Sequence, residues 1–412
     1  MDFASLLVFV AVIVLAFVCK INTGLLAVTA AFILARFAGM SDKILLGMFD
    51  SKMFIMLLGV MYIFCIAQEN KTLDLLAKKV LALCKGKSQL FPPLLFILAA
   101  VLSAIGPGLI SVTALMAAMI VALAKETGVH PIKLLPFATL GAFAGGLSPI
   151  TPSGIVAITK ATEAGITGLE WPLLWEMALT NALFAAVLYF FVFKWHKVRS
   201  VPSVVSEKTP GFSWKQWVTL AGIVIMALLT VLLDINVGLA GIGVSVVLTI
   251  IGAADESAVL KKIPWSTLIM IAGVGMLIGV MTELGGIDLL TRWLSVLMSD
   301  ITASPIICTL AGVMSWFSSA SGVVMPTLIP TVPGLVENLS GVTALGLTVS
   351  LCIGAHLAAL SPLSSCGGLM LAAYSSSAEV DAAARNKMFM QLFALSASGL
   401  LFASLLALLG LY

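Results

Sequence analysis

Gly145-Gly146-Leu147-Ser148-Pro149-Ile150-Thr151-Pro152-Ser153-Gly154 interrupts an apolar stretch that runs from about 132 to 160. Two prolines and three glycines within ten residues disrupt a helix by removing backbone donors and side-chain packing, so the stretch reads as two half-helices joined by an unwound centre. A second run of the same kind, Ser361-Pro362-Leu363-Ser364-Ser365-Cys366-Gly367-Gly368, breaks the stretch 341 to 374. Both stretches exceed the roughly 20 residues that one spanning helix needs. Backbone without helix hydrogen bonds is tolerated at membrane depth only where protein or a water-filled cavity satisfies it, so two breaks imply a buried site.

Composition supports the membrane setting. The chain has 412 residues, 61% hydrophobic and 10% charged, and uncharged runs such as Phe3 to Cys19, Phe54 to Gln68 and Trp217 to Leu233 recur along it. That excludes a water-soluble protein. The net charge of +3 is spread over loops, which excludes a nucleic-acid partner. The six cysteines show no CxxC or zinc-type spacing and read as small core residues, so no cofactor is expected. The N-terminus lacks a signal-peptide pattern, and its first apolar run reads as a retained membrane helix. Spanning helices are expected near 3–19, 22–39, 53–69, 132–160, 171–193, 215–233, 237–253, 265–283, 341–374 and 388–411.

Two apolar stretches remain, 90–124 and 301–335, each broken by small residues: Gly106-Pro107-Gly108 in one and Ser318-Ser319-Ala320-Ser321-Gly322 in the other. Lys85 and Lys87 precede the first and Lys125 and Lys133 follow it, so the positive-inside rule puts both of its ends in the cytoplasm. A single crossing would separate them, and both stretches, 90–124 and 301–335, read as re-entrant hairpins. With the N-terminus outside, every Lys and Arg except Arg36, Lys43, Lys52, Lys160 and Arg292 faces the cytoplasm. The C-terminus is then outside as well, in an inner (plasma) membrane. Segments 70–85 and 287–299 read as interfacial amphipathic helices.

The halves repeat. At an offset of 214, Ile21-Asn22-x-Gly24-Leu25 matches Ile235-Asn236-x-Gly238-Leu239, Ile55-Met56-x-x-Gly59-Val60 matches Ile269-Met270-x-x-Gly273-Val274, and Asp74-Leu75-Leu76 matches Asp288-Leu289-Leu290. Shifted by one residue, Leu147-Ser148-Pro149 matches Leu360-Ser361-Pro362 and Gly154 falls on Gly367. The expected fold is all-α: residues 1–200 form a first repeat, 201–213 a cytoplasmic linker and 214–412 a second repeat. Five crossings per half is an odd number, so the second copy is inverted, as in many secondary transporters.

Half-helix N-termini offer free N–H groups and partial positive charge to a carboxylate, while free carbonyls and hydroxyls suit sodium. Candidate anion-binding residues are Gly106, Pro107, Gly108, Ser148, Pro149, Thr151, Ser318, Ser319, Ser321, Ser361, Pro362, Ser364 and Ser365. Candidate cation-binding residues are Ser103, Gly145, Gly146, Ser153, Gly154, Gly367 and Gly368, with co-transported Na+ as the ion and no other metal. The central clusters hold no Asp, Glu, Lys or Arg, which disfavours carboxylate-based proton antiport. Anion recognition then rests on dipoles, amides and hydroxyls, with a co-bound cation compensating charge. His356, five residues before Ser361, is the one ionisable side chain near a cluster, either a packing histidine or a coupling residue.

Ala67-Gln68-Glu69-Asn70 with Leu73-Asp74, Gly106-Pro107, Ala144-Gly145-Gly146-Leu147-Ser148-Pro149, Trp265-Ser266-Thr267 with Ile271-Ala272-Gly273, and Ser318-Ser319 together resemble the bacterial MatC-type dicarboxylate (malonate-type) carriers. Those carriers fall within the ion-transporter superfamily that includes the divalent anion/sodium symporters. The resemblance implies an elevator-type secondary carrier of a C3–C4 dicarboxylate, a homodimer in the lipid bilayer. The sodium symporters have Ser-Asn-Thr at both hairpin tips. Here the tips read Ile105-Gly106-Pro107-Gly108 and Ser318-Ser319-Ala320-Ser321, a departure that bears on sodium coupling. The alternatives are a cation/proton antiporter or metalloid-efflux permease of the same superfamily, which would want a midplane carboxylate, and an intramembrane enzyme, which would want an acid partner for His356.

Overall fold

The structure, a computed structural model, describes residues 1–81, 88–197, 210–233, 235–339, 341–375 and 380–412. Cys84, Lys85, Lys87 and most of the expected linker, 201–209, lie outside the described residues, as does the side chain of Lys125.

The described chain is helical. The first half carries α1 (Asp2–Cys19), α2 (Thr23–Phe37), α3 (Asp42–Gly47), α4 (Ser51–Glu69), α5 (Thr72–Leu81), α6 (Phe91–Ala104), α7 (Gly108–Thr127), α8 (Leu135–Gly145), α9 (Pro152–Glu163) and α10 (Glu170–Val187). The second carries α11 (Trp214–Leu233), α12 (Val237–Ile250), α13 (Glu256–Lys262), α14 (Trp265–Glu283), α15 (Gly286–Leu297), α16 (Ala303–Phe317), α17 (Met325–Leu328), α18 (Val332–Asn338), α19 (Ala344–Leu357), α20 (Ser365–Ser375) and α21 (Ala382–Leu408). Among the described residues, six helical segments are long and apolar enough to cross a membrane, or seven if the bent pair 303–317 and 320–338 counts as one. Large apolar side chains cover their outer faces. Leu7, Val18, Leu232 and Leu401 are each more than half exposed, a surface that suits lipid rather than water.

The short helices α3 and α13 escape a hydropathy reading because neither has an apolar run. Polar caps start them: Ser41 accepts from the Ile44 N–H, and Asp255 from the Ala258 N–H. Asn22 and Asn236 cap α2 and α12 in the same way, each accepting from the glycine two residues on.

Contacts between the halves repeat at the sequence offset. α2 packs on α14, and α12 packs on α4. A Cβ on Gly24 would collide with the backbone of Ile269 and Met270, and one on Gly238 with the backbone of Ile55 and Met56. Gly59 and Gly273 make the reciprocal approaches to Gly238 and Gly24. Small residues thus let the helix backbones touch, the packing that membrane helices favour.

The two broken helices form the interior. Every residue of α8 is buried, as is the run from Gly346 to Leu357 in α19. α8 lies against α6, α7 and α10, and α19 against α16 and α21. At the cytoplasmic end expected from the charge pattern, burial, then Lys387 and Lys133, hold the His130 imidazole below the usual histidine range.

Candidate functional site

Both breaks open where the sequence places them, and they are built alike. α8 ends at Gly145 and α9 begins at Pro152; the Thr151 hydroxyl donates to the carbonyls of Gly146 at 2.7 Å and Ser148 at 2.8 Å. In the second half the Ser364 hydroxyl donates to Ala359 at 2.6 Å and Ser361 at 2.7 Å. These are the same positions at an offset of 213. Each hydroxyl satisfies a carbonyl, that of Gly146 or Ala359, that the unwound helix leaves without a partner, and adds to the backbone N–H bond that Thr151 or Ser364 already makes to Ser148 or Ser361. Gly154 and Gly367 complete the motif. Each backbone lies so close to the Ser148 or Ser361 carbonyl that a Cβ would collide with it.

The tips differ from each other. Between α6 and α7 the chain turns through Gly106 at φ 135° and Gly108 at φ 75°, conformations that exclude most side chains, with the Phe64 ring against Gly106. After α16 the chain bends by 118° at Ser318-Ser319 and resumes as a π-turn over Ala320–Val324, where Ser319 Oγ accepts from the Gly322 N–H.

Tips and breaks meet around two adjoining cavities. The larger, about 90 Å³, is lined by Pro107, Gly108 and Ser111 of the first tip, Pro152 and Ser153 of α9, Ser321 of the second tip, Phe64 and Gln68 of α4, and Lys262, Pro264 and Thr267. The smaller, about 20 Å³, is lined by Ser153, Ser315, Ser318, Ser319, Ser321, His356, Ser364, Ser365 and Cys366. Leu109, Ile110, Ser153 and Ser321 line both. The starts of α7, α9, the π-turn and α20 therefore face one buried region. Thr151 and Ser319 cap the Gly154 and Gly322 N–H groups; the N–H groups before them have no partner within the helix and, with the positive end of the dipole, make a setting for an anion. Among the described residues, no Asp or Glu lines either cavity.

Of the sequence candidates, Pro107, Gly108, Ser153, Ser318, Ser319, Ser321, Ser364, Ser365 and His356 line a cavity. Gly106 supports the first tip from beneath the Phe64 ring. Ser148, Pro149, Thr151, Ser361 and Pro362 line neither cavity; they form the loops of the breaks, where Ser361 is fully buried and its Oγ accepts from the Leu363 N–H. Gly145 packs on Ala100, and Gly146 on Leu109. Gly154 and Gly367 make the close approaches already described. Gly368 meets only the Pro362 carbonyl, at 3.6 Å. The Ser103 hydroxyl is buried without a partner among the described residues, away from both cavities.

Sequence reasoning missed Lys262, the cation on the larger cavity's wall. It ends α13 and pairs with Glu69, which ends α4. Its place in a loop-flanked helix gave no sign of this, because only the packing of α13 on α4 brings it to the cavity.

A buried polar region between broken helices, inside a shell of apolar helices, is the architecture of a multi-pass membrane protein. Residues 1–146 match the family model described as the N-terminus of the dicarboxylate carrier protein MatC, in agreement over that part of the chain with the MatC-type resemblance read from the sequence. In fold, the chain is similar to the YdaH transporter of Alcanivorax borkumensis, whose crystal structure is described as revealing an unusual topology. The TM-score is 0.59 with 15% identity, over 89% of this chain and 87% of that one. A sequence search of curated proteins gives no match.

Proposed function

We propose that the chain is a secondary active transporter of a small organic anion, a C3–C4 dicarboxylate, driven by a co-bound cation, sodium or proton. The observation that carries this reading is the convergence of four helix starts on one buried region that no carboxylate lines. A dianion near the bilayer centre loses its hydration, and aligned N–H groups and hydroxyls offset only part of that cost. A co-bound cation offsets the remainder. An antiporter of the same superfamily would want a carboxylate in this region.

The repeated contacts of α2 on α14 and α4 on α12, and the paired hydroxyl bonds at the two breaks, support reading the halves as inverted repeats with one re-entrant hairpin each. On that reading the hairpins and broken helices move as one body against the rest, an elevator. The larger cavity reaches Gln68, Lys262 and Pro264, at the end of α4 and the start of α14, which the charge pattern assigns to the cytoplasm. That supports an inward-facing state in the inner membrane, with both termini outside. A homodimer is what the kinship implies.

The test is uptake into proteoliposomes of a labelled panel of mono-, di- and tricarboxylates, with sodium and proton gradients imposed separately. Saturable uptake of C3–C4 dicarboxylates that needs one of the two gradients supports the proposal. Uptake of none of them overturns the substrate class, and uptake with neither gradient overturns the coupling.

A further inference from the structure

The smaller cavity contains two buried polar groups with no partner among the described residues, His356 Nε2 and Ser315 Oγ. Each residue is 1% exposed. The other ring nitrogen of His356, Nδ1, lies 2.8 Å from the Cys352 carbonyl oxygen. A carbonyl only accepts, so Nδ1 carries the proton, and in the neutral ring Nε2 is left as a bare acceptor. Neighbouring hydroxyls do not serve it. Ser318 donates to the Met314 carbonyl at 2.7 Å, and Ser364 donates to Ala359 and Ser361.

An unpaired acceptor and an unpaired hydroxyl at one cavity ask for a group that donates to the first and accepts from the second. An O–H does both. The space, about 20 Å³, suits one oxygen-sized group, since a water needs roughly 10–15 Å³ by the same measure. The cavity adjoins the larger one through Ser153 and Ser321, within reach of one end of a short dicarboxylate lying there.

We infer that His356 Nε2 and Ser315 Oγ form a subsite for an O–H group of the transported anion, His356 accepting from it and Ser315 donating to it. The inference rests on the proposed anion transport and adds to it a chemical selectivity. The O–H has two sources: a hydroxyl on the carbon chain, or the acid proton of a singly ionised dicarboxylate. In the second case the substrate brings part of its own charge compensation. Among the described residues, no carboxylate or ammonium lines this cavity and the Cys366 thiol is the one other titratable group on its wall; the Phe143 ring stands edge-on to His356 at 6.4 Å.

Calorimetry on the purified full-length protein in detergent separates the sources. Butanedioate and 2-hydroxybutanedioate are titrated at about pH 7.5, where both carboxylates of each are ionised, and at about pH 5, where much of each carries one acid proton. A chain hydroxyl as donor gives the hydroxylated compound an advantage of about tenfold at the higher pH. An acid proton as donor gives butanedioate a similar gain at the lower pH. His356→Phe removes either advantage, and His356→Gln, whose amide oxygen still accepts, retains part of it.

Equal binding of the two compounds at the higher pH with no gain at the lower overturns the inference and leaves water as the occupant. An advantage that survives in His356→Phe overturns it too. So does a low-pH gain lost in His356→Gln, which would put the proton on the imidazole. Should His356→Phe fail to fold, Ser315→Ala replaces it, with the advantage expected to shrink. Absence of binding by either compound overturns the proposed function itself, a distinct result.

Discussion

At the first break Thr151 donates to the carbonyls of Gly146 and Ser148, and at the second Ser364 donates to those of Ala359 and Ser361, whereas the two tips share no such detail. The first tip is glycine and proline under the Phe64 ring; the second is a run of serines opening into a π-turn beside His356. An unwound helix poses one problem wherever it occurs, orphaned carbonyls, and one hydroxyl with one close glycine solves it in both halves. On the proposed anion transport a tip meets the substrate, and the two ends of an asymmetrically held anion would set different demands. Shared chemistry thus sits in the breaks, and the unpartnered groups, Ser315 Oγ of α16 and His356 Nε2 of α19, line the cavity beside the second tip.

The comparison breaks most decisively at Gly154 and Gly367. Alanine at either forces a Cβ onto the Ser148 or Ser361 carbonyl, an overpacking expected to cost about 3 kcal/mol or to prevent folding. Gly368→Ala, with its nearest neighbour at 3.6 Å, should melt like the wild type. Melting temperatures of the three variants in detergent check this; tolerance at one of the first two positions only would mean that the breaks are not equivalent.

Thr151→Val and Ser364→Ala probe the same equivalence through hydrogen bonds. Each leaves one buried carbonyl, that of Gly146 or Ala359, without its donor, so both should lower stability by about 1–3 kcal/mol and by similar amounts. A chemical-denaturation series on the pair would show it. A loss confined to one half would count against a shared design.

The line between break and cavity is sharpened by serines on either side of it. Ser153→Ala and Ser321→Ala should weaken anion binding, by about 1–3 kcal/mol if a charge-assisted bond is removed, with melting temperature unchanged. Ser148→Ala and Ser361→Ala, whose side chains line neither cavity, should do the reverse. Calorimetry and melting curves on all four, with Ser398→Ala in α21 as the control, decide between the two patterns. Affinity lost at Ser148 and Ser361 would return them to the site that the sequence assigns them.

The smallest effect is expected at Lys262. Its ammonium is partly exposed and paired with Glu69, so Lys262→Met should raise the half-saturating anion concentration only about two- to fivefold and flatten its dependence on salt. The double variant Lys262→Glu, Glu69→Lys keeps the ion pair but moves the positive charge. If it transports like the wild type, the charge on the cavity wall has no part in recognition.

Much of this molecule is legible in its sequence because a membrane leaves few choices. A run such as Trp265 to Glu283 spans as a helix since hydrocarbon offers no partner for its amides, and α14 occupies those residues. Proline clustered with glycine or serine opens a helix where single glycines such as Gly59 and Gly273 do not, so the breaks at 146–151 and 361–364 follow from the local sequence. The spacing of Gly24 and Gly238 shows the repeat, though not that each glycine packs on the opposite half.

Tertiary structure decides which polar atoms remain free. The hydroxyls of Ser148, Thr151, Ser361 and Ser364 look alike in sequence, yet those of Thr151 and Ser364 close the breaks, three of the four residues line neither cavity, and only Ser364 lines one. Lys262 joins the cavity because α13 packs on α4, a contact between residues far apart in the chain. His356 is left with a bare nitrogen because Cys352, one turn before it, takes the other. Patterning sets where a helix forms and where it fails, since both depend on neighbours along the chain; which atom has a partner depends on neighbours across it.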